Sequence, residues 1–496
     1  MSGQEQTTTV GQLPTPSTEE PRLPTVLTRL VWLLWILSCG ALAAYLWNWS
    51  GEAWEVAGLV RVDGLTVVMW TTVTFFSGIV HSYSRRYMSG SRSIDSFFRR
   101  VFGFTVAVMV LVAADSFVLF GASWLAMGLV MSQLIGQFDG WQQARSAGSL
   151  ARRYFVGSTA LLGVGLVTVW LFTGVATVSG VASAVEKTSS TVLLFAATAL
   201  VLAAMVQSAL IPFHTWLLSS MTAPTPASAL MHAGFVNAGG ILLTRFAPIV
   251  TVDPGFMVAT VVVGAVSALG GKILKSVQTD FKSTLGCSTV GQMGFMIMQA
   301  GLGFFGAAVT HLIIHGFYKA YQFLSSGGEV EHKSPKKSKP TGSVGFVDTV
   351  VVIATGLAGG GVFAALTGKG TKLDGGIVLA LLVVLTVLRA SLEVVRHSSL
   401  SAKLRYGVPV IALPAIGVYA AVYRVIEGVL AELPGVGQPA ELTPIHLLVA
   451  VAFVVVYVGI ESGVHKRSHR LYVALLNTTQ PPSETLLTSK EEYNEY

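Results

Sequence analysis

Long apolar stretches, each about the length of a membrane-spanning helix, recur along most of this chain of 496 residues. A helix needs ~20 mostly apolar residues to cross the hydrocarbon core of a bilayer. With 52% hydrophobic and only 11% charged residues, the composition excludes a soluble protein of this size. We therefore predict an all-α, polytopic bundle of about fourteen transmembrane helices. The predicted spans are 27–47, 64–82, 101–117, 118–138, 154–176, 190–211, 223–247, 256–275, 284–300, 304–326, 343–367, 376–396, 407–430 and 443–461.

The charged residues between the predicted spans are sorted by sign. Lys and Arg are concentrated in the loops after spans two, four, ten and twelve, whereas the loops on the opposite side carry Asp and Glu. Because short cytoplasmic loops are enriched in basic residues, this pattern predicts a multi-pass protein of the cell membrane with both termini in the cytoplasm. The net charge of +7 then reflects topology and requires no nucleic-acid partner. The alternative, solvated loop charges without a topological role, does not account for this segregation.

The chain divides into five predicted segments. Residues 1–25 are rich in Thr, Pro, Gln and Glu, which is typical of a disordered tail. No small-residue cleavage site follows the first apolar run, so we expect a retained helix and not a signal peptide. The other segments are a main membrane domain (26–330), a basic cytoplasmic loop (331–342), C-terminal membrane helices (343–464) and a polar cytoplasmic tail (465–496).

The apolar sequence around spans six and seven is interrupted by prolines and polar residues. Proline removes a backbone donor, and freed carbonyls need partners in hydrocarbon, so a broken helix is expected only where it lines a protein-buried or hydrated cavity. We predict a break near Pro212 and an interior path along this segment. The residues that mark it are Pro212, Pro224 and Pro226 with His214 and His232.

The tenth span carries a stripe of polar residues. Residues three and four positions apart are neighbours on a helix, so His311, His315, Lys319 and Gln322 share one face. A charge at the bilayer centre costs at least ~2.5 kcal/mol on insertion scales, and such residues normally face a bundle interior or water and mark ion relays. A single membrane histidine is more often a hydrogen-bonded core residue. The alignment of three ionisable groups favours a functional stripe.

Further polar groups lie near predicted span ends. Between spans eight and nine, Lys275 and Asp280 are interpreted as parts of a cytoplasmic turn, while the role of Lys282 stays open at this point. Asp115 lies at the junction of spans three and four, and His81 lies at the end of span two. Asp115 fits either a helix N-terminal cap or a functional role, and both readings stay open at this point.

Motifs for catalysis are missing from the sequence. Neither Cys39 nor Cys287 belongs to a CxxC motif, and there is no P-loop or dinucleotide fingerprint. We therefore predict that the chain is not an enzyme and has no catalytic residue, metal site or cofactor of its own.

In order along the chain, these motifs resemble the proton-conducting membrane subunits shared by respiratory complex I and Mrp-type antiporters. The resemblance covers roughly residues 63–328 and is most specific over 207–240 and 311–326. The sequence from Ser228 to Pro248 is most similar to DabB-type subunits of the two-component inorganic carbon transporter. The resemblance implies an antiporter-like fold and an ion-conducting role.

The resemblance also implies site residues and a partner. Five residues of this chain match positions of the ion path in the family: His232, Lys282, His311, His315 and Lys319. Asp115 and His214, which belong to the shared motifs, complete the set of candidate ion-path residues. The implied partner is a large peripheral zinc-binding protein of carbonic-anhydrase type (DabA-type), so zinc is expected there and not in this chain. An H+ or Na+ path here would drive CO2 hydration and uptake by that partner. The remaining expected partner is membrane lipid.

Two departures from the family pattern separate the hypotheses. Leu125 follows Trp124 where relatives have Glu, and Gln207 precedes Pro212 where relatives have Lys, so the family's Glu–Lys pair does not carry over. The Gly-rich eleventh span shows no second proline-broken helix with a central lysine.

Two alternatives remain open from the sequence. The first is a proton-translocating subunit of an NADH dehydrogenase-like or Mrp-type Na+/H+ antiporter complex. An extended lateral helix, expected of the distal complex I subunit, is not recognisable in the mostly polar residues after the last span. The second alternative is an inert membrane anchor, which the retained His and Lys stripe disfavours.

Overall fold

The computed structural model describes residues 22–47, 53–56, 58–326, 345–396 and 407–480. Its helices are α1 (Arg22–Trp47), α2 (Gly64–Tyr87), α3 (Ile94–Ala113), α4 (Phe117–Ile135), α5 (Gln142–Thr173), α6 (Val181–Val185), α7 (Ser190–Gln207), α8 (Thr215–Ser219), α9 (Thr225–Ala233), α10 (Ala238–Arg245), α11 (Ala247–Val250), α12 (Pro254–Lys275), α13 (Phe281–Gly301), α14 (Phe305–Ser325), α15 (Phe346–Thr367), α16 (Gly376–Arg396), α17 (Val408–Val429), α18 (Pro444–Glu461), α19 (Val464–Arg467) and α20 (His469–Thr478). One antiparallel hairpin pairs β1 (Trp54–Val56) with β2 (Val60–Val62).

The predicted all-α membrane bundle is confirmed. Within the described ranges, 12 helical segments are long and apolar enough to cross a membrane, and α9 with α10 forms one of them. The prediction of about fourteen spans also included α13 and α14. These helices have 21 residues each, but they do not meet the same measure of apolarity because both carry many polar side chains.

Several helix bounds differ from the predicted spans. The third span was predicted at 101–117, whereas α3 is Ile94–Ala113, and the fifth was predicted at 154–176, whereas α5 is Gln142–Thr173. An apolar stretch marks only the part of a helix that lies in the hydrocarbon core. The helix itself continues into polar sequence as long as its backbone hydrogen bonds continue. Helix α1 begins at Arg22, inside the tail predicted for 1–25.

The predicted tails and the basic loop are only partly described. Residues 1–21, the loop predicted at 331–342 and residues 481–496 lie outside the described residues. The tail predicted as polar from 465 contains the helix α20.

The predicted break near Pro212 is present, and a second interruption follows it. Helix α7 ends at Gln207, and Pro212 lies in the turn before α8. Pro224 and Pro226 do not break a helix: they occupy the N-cap and the first turn of α9 and therefore start it, as the fixed φ of proline allows. The second interruption is a short 3₁₀ turn, Phe235–Asn237, which contains no proline.

An aromatic cluster fills the space between the two interruptions. The ring centroids of Phe155 and Trp216 are 4.7 Å apart, and those of Phe155 and Phe235 are 4.6 Å apart. The indole nitrogen of Trp216 donates to the carbonyl of Val206 at 2.9 Å, so the cluster also satisfies a carbonyl in the last turn of α7. Packed aromatic edges of this kind hold the interrupted segment in one conformation.

Helices α12 and α13 pack with their backbones in direct contact. A Cβ at Gly271 would lie 2.2 Å from the backbone nitrogen of Gly291, and a Cβ at Gly294 would lie 2.4 Å from that of Ala268. Small residues permit this approach between membrane helices. The pair lies between two apolar cores, the larger one around α2–α14 and a smaller one that includes α15–α18, so α13 is a rigid support for the site described below.

Candidate functional site

Three helices meet at one backbone carbonyl in the interior. The Nζ of Lys319, on α14, donates to the carbonyl oxygen of Leu285, on α13, at 2.8 Å. The hydroxyl of Thr289 donates to the same carbonyl at 2.9 Å. Thr289 Oγ1 also lies 2.9 Å from Nδ1 of His232, on α9. His232, Thr289 and Lys319 all have 0% exposure, so this chain of contacts is sealed from the surface.

The contacts of Thr289 determine which nitrogen of His232 carries the hydrogen. A threonine hydroxyl has one proton, and here that proton is donated to the carbonyl of Leu285. The Nδ1 of neutral His232 must then donate to Thr289, which leaves Nε2 as an acceptor. Among the described residues Nε2 has no partner. The ring stacks on Phe323 with centroids 4.6 Å apart, and this contact fixes the orientation of the ring and of its free nitrogen.

Lys319 is held without a counterion. Within the described part of the chain no carboxylate lies within ion-pair distance of its Nζ, and one carbonyl is its hydrogen-bond partner. An ammonium group has three donors, so two remain without a partner among the described residues. Because unsatisfied donors of a buried charged group are costly, we expect an internal water at this position.

His311 and His315 continue the line along α14. Their rings are stacked, with centroids 5.7 Å apart and an angle of 13° between the planes. The Nε2 atoms of both rings are buried and lack a partner among the described residues. The predicted stripe therefore lies on one face, and the structure brings His311, His315 and Lys319 together with His232 through Phe323 and Thr289.

Lys282 and His214 lie outside this group of contacts. The Nζ of Lys282 donates to the carbonyls of Met221 and Ala223 at 3.0 Å each, so it fastens the start of α13 to the turn before α9. The Nε2 of His214 lies 3.4 Å from the carbonyl oxygen of Thr478, at the end of α20. Lys282 thus positions the segment that carries His232, while His214 contacts the C-terminal helix.

Asp115 is neither a helix cap nor a member of the interior group. The sequence allowed it to cap a helix, but the residue before α4 is Ser116, whose side chain makes no capping bond. The Asp115 carboxylate instead accepts from the backbone nitrogen of Ser179 at 2.7 Å and from its hydroxyl at 2.8 Å. The reason is a tertiary contact: the loop after α5 folds against the start of α4, and the carboxylate satisfies that loop's donors.

The sequence-based reasoning missed Thr289 and Gln207 as parts of the site. Thr289 lies seven residues, two helical turns, after Lys282 on the same helix face, and this spacing was the available signal. Gln207 was noted only as a lost lysine. Its side chain has 0% exposure, and neither its amide nitrogen nor its amide oxygen has a partner in the described ranges. Because a buried amide without a hydrogen-bond partner is costly, we expect water at the break after α7.

We expect Thr289→Val to lower ion transport about tenfold, because it removes the partner of His232 Nδ1 and costs on the order of 1–3 kcal/mol for the unsatisfied group. Thr289→Ser keeps the hydroxyl and is expected to retain transport. The measurement is ion flux in proteoliposomes with protein content matched. Equal flux in the Val and Ser variants would contradict a role for this contact.

Comparison with known families and proteins gives consistent matches. Residues 114–346 match the family described as NADH:quinone oxidoreductase/Mrp antiporter, TM, and residues 54–98 match NADH-Ubiquinone oxidoreductase (complex I), chain 5 N-terminus. The "Probable inorganic carbon transporter subunit DabB1" of Halothiobacillus neapolitanus is 36% identical over 305 residues, 58% of this chain and 52% of that protein. "NADH-quinone oxidoreductase subunit L" of Mycobacterium tuberculosis is 35% identical over 277 residues, 55% of this chain and 43% of that protein.

The chain spans about half the length of the curated relatives it matches. Among solved structures, the Mrp complex from Dietzia sp. DQ12-45-1b contains a similar chain, with a TM-score of 0.55 and 20% identity. The match covers 92% of this chain and 57% of that one. It confirms the predicted antiporter-like fold.

Proposed function

We propose that this chain, which is similar to the membrane subunits of NADH:quinone oxidoreductase and Mrp antiporters, belongs to their family and conducts H+ or Na+ as the membrane subunit of an inorganic carbon pump. The ion gradient drives CO2 hydration and uptake. This proposal places both termini in the cytoplasm, in the plasma membrane, as the basic loops predict.

The observation that carries the proposal is the connection from His232 through Thr289 and the Leu285 carbonyl to Lys319. It joins a histidine with a free ring nitrogen to a lysine with unused donors, across three helices. His311 and His315 extend it by two more groups with unpartnered nitrogens. A proton path requires such groups at intervals that water can bridge.

The proposed partner supplies the carbon chemistry. The DabB names of the relatives support a two-component carbon transporter, and we propose a large peripheral zinc protein of carbonic-anhydrase type as the second component. Hydration of CO2 by water yields bicarbonate and one proton. We propose that inward flow of H+ or Na+ through this chain supplies the free energy that removes this proton from the partner's hydration site, so hydration becomes effectively one-way and bicarbonate accumulates in the cytoplasm.

A second candidate is a subunit of an NADH dehydrogenase-like or Mrp-type antiporter complex. The similarity to subunit L of Mycobacterium tuberculosis favours it. Against it, Leu125 and Gln207 cannot ionise, and they occupy the positions where the resemblance to complex I and Mrp subunits leads us to expect a Glu–Lys pair. The path described here therefore depends on the histidines and Lys319.

Growth of a carbonic-anhydrase-deficient host at ambient CO2 tests the carbon-pump proposal. We expect rescue when this chain is co-expressed with its proposed zinc-binding partner, and no rescue by either protein alone. A His232→Ala variant should abolish rescue at unchanged membrane abundance, because it removes the ring nitrogen that exchanges the proton. Rescue by the partner alone would overturn the proposal, and full activity of His232→Phe would show that the ring only fills space.

A further inference from the structure

We propose that a basic groove, formed by Lys272, Lys275, Arg389 and Arg396 where α12, α16 and α18 meet, binds the phosphate headgroup of an anionic phospholipid. This inference goes beyond the ion path and requires only that the chain spans a membrane.

The two arginines of the basic groove already have carboxylate partners. Glu461, at the end of α18, has a side chain that is 17% exposed and accepts from both. Its oxygens lie 2.6 Å from Nη1 of Arg396 and 3.4 Å from Nη1 of Arg389. The Nε of Arg389 also lies 3.3 Å from a carboxylate oxygen of Glu393. Both carboxylates of the groove are thus engaged by arginine.

The two lysines of the basic groove lack such partners. Throughout the described ranges, neither Lys272 nor Lys275 has a carboxylate within ion-pair distance. The Nζ of Lys272 lies 5.6 Å from the ring centroid of Tyr457, on α18. Both lysines are near enough to Arg389 to be repelled by its charge, and Glu393, with Glu461 in the case of Lys272, offsets part of that repulsion. Four cations therefore face two carboxylates, and the two positive charges left over are held beside one another at a cost that an anion would offset.

The surroundings of the groove favour a lipid over a free anion. Val458, three residues before Glu461 on α18 and therefore its neighbour on that helix, is an apolar side chain that is 56% exposed. Acyl chains can lie against this surface while the headgroup meets the basic groove. All three helices end at the side predicted to face the cytoplasm, and basic pockets between membrane helices on that side bind anionic headgroups.

Native mass spectrometry of the purified full chain tests this site. The probes are phosphatidylglycerol and phosphatidylcholine, added at matched concentrations. Each basic residue near an anionic headgroup is worth roughly fivefold in affinity, so Lys272→Gln with Lys275→Gln should weaken phosphatidylglycerol binding on the order of 30-fold. The control is Lys187→Gln with Lys372→Gln, which removes the same charge from two exposed lysines away from the groove and should leave binding unchanged.

The arginine replacements Lys272→Arg with Lys275→Arg keep both charges and should retain phosphatidylglycerol. Loss of lipid in the arginine variant, or equal retention in the glutamine variant, would overturn the site. A competition experiment with inorganic phosphate distinguishes a lipid headgroup from a free anion. If millimolar phosphate competes fully with phosphatidylglycerol and phosphatidylcholine binds equally well, the groove takes a free anion and the lipid assignment is wrong. None of these results depends on whether the chain conducts ions.

Discussion

Replacing Lys319 by glutamine is expected to lower ion-coupled transport by ~100-fold or more. A hundredfold is the lower end of the rate contribution that a positioned proton-transfer group makes. The side chain is fully buried, and its hydrogen bond to the Leu285 carbonyl ends the contact chain that begins at His232. Lys319→Arg should fail similarly, because the guanidinium stays charged and cannot exchange a proton at cellular pH. Flux into proteoliposomes under an imposed proton gradient measures both variants.

A control on the same helix separates this effect from general damage to α14. Tyr321 lies two residues further on, and 73% of its surface is exposed. Tyr321→Phe should therefore leave transport and thermal stability unchanged. An active Lys319→Arg protein would show that this position needs a positive charge and no proton exchange. In that case the lysine would hold helices α13 and α14 together through the carbonyl of Leu285.

Arg245→Leu is expected to destabilise the fold by about 3–5 kcal/mol, the cost of leaving one member of a buried ion pair alone. The guanidinium pairs with Asp63, donates to Thr66 Oγ1 at 2.7 Å and also donates to the carbonyl of Val112. It thereby joins the end of α10 to the start of α2 and the end of α3. The thermal unfolding midpoint in detergent measures the loss.

Two further variants make the ion-pair prediction specific. Arg424 forms an exposed pair with Glu427 at 3.4 Å, and its loss in Arg424→Leu should cost at most about 1 kcal/mol. Removing both buried charges, Arg245→Leu with Asp63→Leu, should recover much of the lost stability, because no unpaired charge remains. If the single and double variants unfold at the same temperature, the ion pair is not the source of the effect.

The same ion pair sets the expected response to acid. Burial alone would raise the pKa of the Asp63 carboxyl, but Arg245 and the donors of Thr66 more than offset burial and hold that pKa below its ordinary value. A lowered folded-state pKa contributes stability that is present above the unfolded-state pKa and is lost as the pH falls through the folded-state value. The loss therefore falls below the ordinary aspartate pKa of about 4.

The helical bundle and the main lines of the site could be predicted from local sequence. A membrane helix must be as long as the hydrocarbon core is thick, which is why most predicted spans coincide with one helix apart from its ends. The exception is the span predicted at 223–247, which is divided into α9, a 3₁₀ turn and α10. The i, i+4 spacing of His311, His315 and Lys319 places them on one face of any helix. Pro212 could be assigned to a break because a proline in a helix interior removes a backbone bond.

Only the tertiary structure decided what these residues touch. Lys319 contacts a backbone carbonyl, which every residue offers and which therefore leaves no mark in the sequence. Asp115 and Ser179 are 64 positions apart, and Asp63 and Arg245 are 182 apart. Side-chain partners across such distances depend on how helices pack around a shared core, whereas helix length and helix faces depend on neighbouring residues. For this reason the sequence by itself determined a membrane bundle with a polar stripe, and the folded chain determined that Thr289 and the Leu285 carbonyl join that stripe to His232.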